Sequence, residues 1–184
     1  SDPKFFHMYS ENHPSWGTQG LTMWLYPKLL WNPKLDVNAA ISEYDRAAYG
    51  PAADAMKAYQ KALQDSMDRQ GRIGGNIWEI PFVLTPAVIG ECDGYIAQAQ
   101  KMEDQMDADT RWRTELACQA WHASAQFAEA VQLCEHGKTA ADRAKILSLC
   151  DATDQFAQSD MGKWAFDNTV ATRSIKIITD KFKT

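Results

Sequence analysis

Two linked stretches decide how this chain folds: Leu29-Leu30-Trp31-Asn32-Pro33-Lys34-Leu35-Asp36-Val37, and Ala48-Tyr49-Gly50-Pro51-Ala52-Ala53-Asp54-Ala55-Met56. Asp36 stands where a helix N-cap is needed, since its carboxylate can accept a backbone amide left free in the first turn. Val37, Ala40, Ile41, Tyr44 and Ala48 then recur at helical spacing and give one apolar face. Gly50 suits a left-handed C-cap, and Pro51 opens the next helix where a missing N–H costs nothing. Ala52, Ala55, Met56, Tyr59 and Leu63 continue the stripe. The spacing therefore predicts a helix hairpin, residues 37–49 and 51–70, turning about Gly50-Pro51.

Working outward, residues 1–17 are irregular and rich in aromatic side chains (Phe5, Phe6, Tyr9, Trp16), and residues 18–184 read as one all-helical domain. A helix is expected over 18–31, with a kink or break at Pro27 because proline removes a backbone bond and crowds the preceding turn. Gly71 to Asn76 reads as a connector, and Ile77-Trp78-Glu79-Ile80-Pro81-Phe82 as an extended apolar run covering the core. Thr85-Pro86 opens a helix to about Asp104, with Val88, Cys92, Tyr95, Ala99 and Met102 inward. A long helix over 109–136 places Trp112, Leu116, Ala120, Ala123, Phe127, Ala130 and Cys134 in register and stops at Gly137. Helices over 139–159 and 163–183 complete an all-α bundle of about seven helices, built from antiparallel hairpins. The mid-helix tryptophans Trp24, Trp31, Trp112, Trp121 and Trp164 are expected to pack in the core and the hairpins.

The 184 residues are 45% hydrophobic and 23% charged, a globular balance of one-domain length. The net charge of −5 is spread evenly, with 8 basic and 10 acidic residues in 1–92 and 11 and 14 in 93–184. No basic face is implied, so nucleic acid is not an expected partner. No charge-free run approaches the ~20 residues of a membrane span. The chain opens Ser1-Asp2-Pro3-Lys4 without methionine, as a processed chain or a fragment would. Cys92, Cys118, Cys134 and Cys150 form no close pair. Cys118 and Cys134 lie about 160° apart around one helix and cannot bridge each other, so buried free thiols are expected.

The Leu-Leu-Trp-Asn-Pro, Leu-Asp-Val and Tyr-Gly-Pro-Ala-Ala elements, with the following Met56-x-x-Tyr59, resemble the C-terminal region of a bacterial family, the domain of unknown function 4838. The match is close over roughly residues 18–63 and general in character after Leu84. In that family an α-glucuronidase-like or hexosaminidase-like barrel precedes the helices. The resemblance implies a helical accessory region of a glycoside-hydrolase-like protein, periplasmic or extracellular, with the barrel as its partner and an oligosaccharide or polysaccharide as ligand. A free-standing helical carbohydrate-binding or protein-interaction module is the alternative.

The resemblance also places residues 6–17 at the end of the last barrel strand, where ligand-contacting loops lie. Glu11, His13 and Trp16 there have the ingredients of a sugar subsite: an acid, a hydrogen-bonding group and an aromatic platform. Packing of this segment on the neighbouring domain is the plainer reading of the same residues. Glycosidases need two carboxylates ~5–9.5 Å apart, and only one is signalled, so no catalytic residue is assigned. His7-x-x-x-Glu11-x-His13 has metal-ligand residue types but no fixed geometry, and neither metal nor cofactor is expected. No Gly-x-Ser-x-Gly elbow or phosphate loop is present.

Overall fold

Residue 15 is the first for which the computed structural model gives a description, which covers residues 15–71, 76–137 and 139–182. Among these residues there are seven helices of 13 to 29 residues, two four-residue helices and no strand. In chain order they are α1 (Trp16–Trp31), α2 (Val37–Tyr49), α3 (Ala53–Gln70), α4 (Ile80–Val83), α5 (Pro86–Gln100), α6 (Ala108–His136), α7 (Ala140–Gln158), α8 (Gly162–Ala165) and α9 (Asn168–Asp180). The expected all-α bundle is what forms.

The hairpin at the centre of the reading folds as its punctuation dictates. Asp36 accepts the Ala39 amide at 3.0 Å and starts α2. Gly50 takes φ +49°, a conformation costly for any residue with a Cβ, and Gly50–Ala52 form a 3₁₀ turn into α3. The two helices pack on each other through Ala48, Tyr49, Ala52 and Met56, all buried. Thr85 caps α5 by accepting the Val88 amide, and Thr139 and Asp142 form a reciprocal capping box on α7. Gly137 ends α6.

Three expectations need correction. Residues 77–83 are not extended: Ile77–Glu79 make a 3₁₀ turn that runs into α4. Asn76 accepts the Trp78 amide, and Pro81 sits in the first turn of α4, where its fixed φ favours helix. The C-terminal helix is divided, because Phe166 is extended and Asp167 starts α9 afresh by accepting the Thr169 and Val170 amides. And of the kink or break expected at Pro27, the break does not occur, since α1 is one continuous helix from Trp16 to Trp31.

The long α6 organises the interior. Its first half closes a core with α2, α3 and α5, built on Met56, Cys92, Ile96, Cys118 and Trp121. Its second half packs with α7 and α9 around Val131, Ile146, Cys150 and Ile178. Between them Leu116 and Ala120 meet Ala165 of α8. Trp121 joins polar and apolar terms: its indole donates to Asp93 at 2.7 Å while its ring meets Tyr59 edge-on at 5.3 Å. All four cysteines are free, and Cys92, Cys118 and Cys150 are buried. Burial raises the first two thiols to about 12 and the third to about 11, so they stay protonated and act as small apolar residues. No single helix among the described residues is long and apolar enough to cross a membrane.

Candidate functional site: an aromatic cleft at the end of four helices

The N-terminus of α1 lies unusually close to α6 and α8, and glycine is the reason. A Cβ on Gly17 would come within 2.8 Å of Ala120 Cβ and 3.0 Å of Ala165 Cα. With hydrogen there instead, the backbones meet and the Thr18 hydroxyl donates to the Ala165 carbonyl at 3.2 Å. This approach sets Trp16 of α1 and Trp164 of α8 around one opening. Trp112, Arg113 and Leu116 of α6 and Tyr44 and Tyr49 of α2 line the rest, enclosing a cleft of about 470 Å³.

Its lining is aromatic and half wet. Trp16, Trp112 and Trp164 are 44%, 44% and 51% exposed, far more than a core indole. The expectation that Trp112 and Trp164 would be buried is therefore corrected, as it is for Trp31, 92% exposed at the end of α1. Helical periodicity placed Trp112 on the stripe of Leu116 and Ala120, but α2 packs on the Thr110, Arg113 and Thr114 side of this end of α6, and Trp112 opens on the cleft. Behind the indoles, Tyr44 stacks tilted on Trp24 at 5.4 Å and meets Tyr49 edge-on at 5.8 Å. Burial holds both phenols above their ordinary range, Tyr49 the more strongly, and both stay neutral at any physiological pH.

Arg113 is the one charged side chain among the described residues that line the cleft. Its Nε donates to the Ala48 carbonyl at 3.1 Å, and its Nη2 to the Ala47 carbonyl at 3.4 Å and to Thr110 Oγ1 at 3.2 Å. These contacts place a cation on the free carbonyls at the C-terminal end of α2, the favourable end of that helix's dipole. They also lock the guanidinium in place at the cleft wall.

Of the three sugar-site residues named from sequence, Trp16 is in the cleft, while Glu11 and His13 lie outside the described residues, as does His7. Sequence reasoning missed Tyr44, Tyr49, Trp112, Arg113 and Trp164 as companions of Trp16. The available signal was that three tryptophans sit near helix starts, but only the fold brings those starts together. No cluster of metal-ligating side chains exists among the described residues.

A second cavity, about 690 Å³, runs between α3, α4, α6 and α9. Its walls are mostly aliphatic and phenyl groups, among them Met67, Ile77, Ile80, Phe127 and Val170. Polar side chains, among them Gln19, Glu79, Thr153 and Ser174, also line it. Compared with protein-family models, curated proteins and solved structures, the chain matches none.

Proposed function

We propose that this chain is a sugar-holding helical accessory region of a periplasmic or extracellular glycoside-hydrolase-like protein, seated after a carbohydrate-active barrel and without hydrolytic chemistry of its own. The observation that carries this reading is the cleft: three half-exposed indoles and two tyrosines around one opening of about 470 Å³. Indole faces are suited to the apolar C–H faces of a pyranose, and the size falls within the ~300–1,000 Å³ of small-molecule sites. No carboxylate is among the cleft's described lining residues. Hydrolysis by either stereochemical route needs two. Holding a ring needs none.

The accessory role has support at the other end of α1. Trp31 is 92% exposed, with Leu30 at 50% and Val37 at 39% beside it in sequence. A large apolar group so fully presented fits a surface on which another domain rests. The alternative, a free-standing carbohydrate-binding or interaction module, uses the same cleft and differs only in lacking the barrel.

The test pairs binding with turnover. Oligosaccharides titrated into the wild-type chain should bind weakly, in the manner of an open cleft. Trp112→Ala with Trp164→Ala should weaken that binding by about tenfold or more, the loss of at least ~1.4 kcal/mol of stacking. A panel of aryl-glycosides should show no turnover. Turnover by the purified chain, or binding untouched by the double substitution, overturns the proposal.

A further inference from the structure

We infer that the cleft selects an acidic saccharide, one carrying a carboxylate or a sulfate ester, through Nη1 of Arg113. The inference rests on the sugar-holding reading above and goes further by assigning the charge of the ligand. Arg113 has five N–H donors. Nε and both hydrogens of Nη2 are directed to Ala48, Ala47 and Thr110. The two hydrogens of Nη1 have no acceptor among the described residues, and Arg113 forms no ion pair with any described carboxylate. Asp107, whose carboxylate feels the charge of Arg113 without forming an ion pair with it, caps α6 through the Thr110 amide at 2.7 Å. A half-buried guanidinium is thus held at the wall of a cavity with one edge that no described residue uses.

The other polar groups lining the cleft point the same way. The indole N–H groups of Trp16, Trp112 and Trp164 also have no acceptor among the described residues. The tyrosine hydroxyls stay neutral and lie close enough to interact with each other. The described lining of the cleft therefore has an excess of donors and a fixed positive charge. A neutral sugar, whose hydroxyls both give and accept, satisfies such a site less well than one bearing an acceptor-only anion. A charge-assisted hydrogen bond is about twice as strong as a neutral one. Because Nε and Nη2 are committed, the anion meets Nη1 through one oxygen and not as a two-pronged fork. The chain's net charge of −5 opposes an anion at long range, so the preference arises from contact within the cleft.

The test varies the ligand as well as the protein. A uronic-acid oligosaccharide, its methyl ester and a sulfated oligosaccharide with its unsulfated parent are titrated into the wild-type chain by calorimetry. At least one acid should bind tenfold or more tighter than its neutral counterpart, and which pair shows this tells carboxylate from sulfate. Arg113→Gln should abolish the difference in affinity between the acid and its neutral counterpart, bringing their ratio to about one. Equal affinity of acid and neutral forms for the wild-type chain overturns the inference and leaves the sugar-holding reading standing. Absence of binding by every ligand overturns both. If Arg113→Gln does not fold, the ligand pairs on the wild-type chain decide alone.

Discussion

Asp45 is the residue whose surroundings fit its chemistry least. It is 1% exposed in α2, and neither carboxylate oxygen has a well-formed hydrogen bond among the described residues, Gln60 making only a weak approach while its own Oε1 is also without a donor there. Burial raises Asp45 to about 6, only partly offset by Gln60 and by the charge of Lys57. A protonated Asp45 could supply the donor that Gln60 Oε1 lacks. The sign follows from linkage. A carboxyl whose folded pKa lies above its unfolded value of 3.8 stabilises the fold fully below pH 3.8, and that contribution disappears as pH rises through 6. Asp107 acts oppositely. Its backbone hydrogen bond from Thr110 lowers it, so its contribution is present above the unfolded value and lost in acid. Wild-type stability should therefore fall between pH 5 and pH 7.5. Asp45→Asn should remove most of that fall and be the more stable protein at pH 7.5, by about 1–3 kcal/mol. Urea unfolding of both proteins at the two pH values checks this, and parallel profiles would show that Asp45 is already ionised and solvated.

At the scale of elements, the sequence was most legible where a cap residue marks a boundary. Asp36, Gly50-Pro51, Thr85-Pro86 and Gly137 each stand at a helix end in the structure, because each satisfies or terminates backbone bonding by local chemistry alone. Residues 77–83 were not legible, since a short apolar run has no period long enough to separate strand from helix. The break at Asp167 carried a cap signal, but a continuous stripe of Ala171, Ile175, Ile178 and Phe182 obscured where it began. The cleft was the least legible feature. Trp16 was visible as a candidate, but Trp112 and Trp164 join it only through tertiary approach at Gly17, a contact that no local pattern announces. That approach gives a prediction: Gly17→Ala should destabilise the fold by about 1–3 kcal/mol by pushing α1 away from Ala120 and Ala165. It should also weaken any ligand bound beside Trp16. Gly90 and Gly94 give the opposite expectation. Both lie exposed within α5, where an added Cβ meets nothing within 4 Å. Each change to alanine should stabilise by about 0.5–1 kcal/mol. Thermal unfolding of the three variants checks the set, and a stable Gly17→Ala would mean that α1 is free to shift.

At the scale of the whole molecule, α6 divides the labour. One half is enclosed in the core with α2, α3 and α5, the other is packed under α7 and α9, and near its start Trp112 and Arg113 line the cleft. A structural bundle would gain stability by covering that end. The proposed sugar-holding role would account for its half-exposed indoles, and the seven tryptophans supply their own controls. Trp121 is buried, Trp31 is fully exposed but remote in sequence from the cleft, and Trp16, Trp112 and Trp164 line it. The most direct measurement is an NMR titration of the assigned indole N–H signals with an acidic oligosaccharide. The signals of Trp16, Trp112 and Trp164 should move together with one saturating curve while those of Trp31 and Trp121 stay still. Saturating shifts confined to Trp31, or no shift in any of the seven, would contradict a sugar site in this cleft.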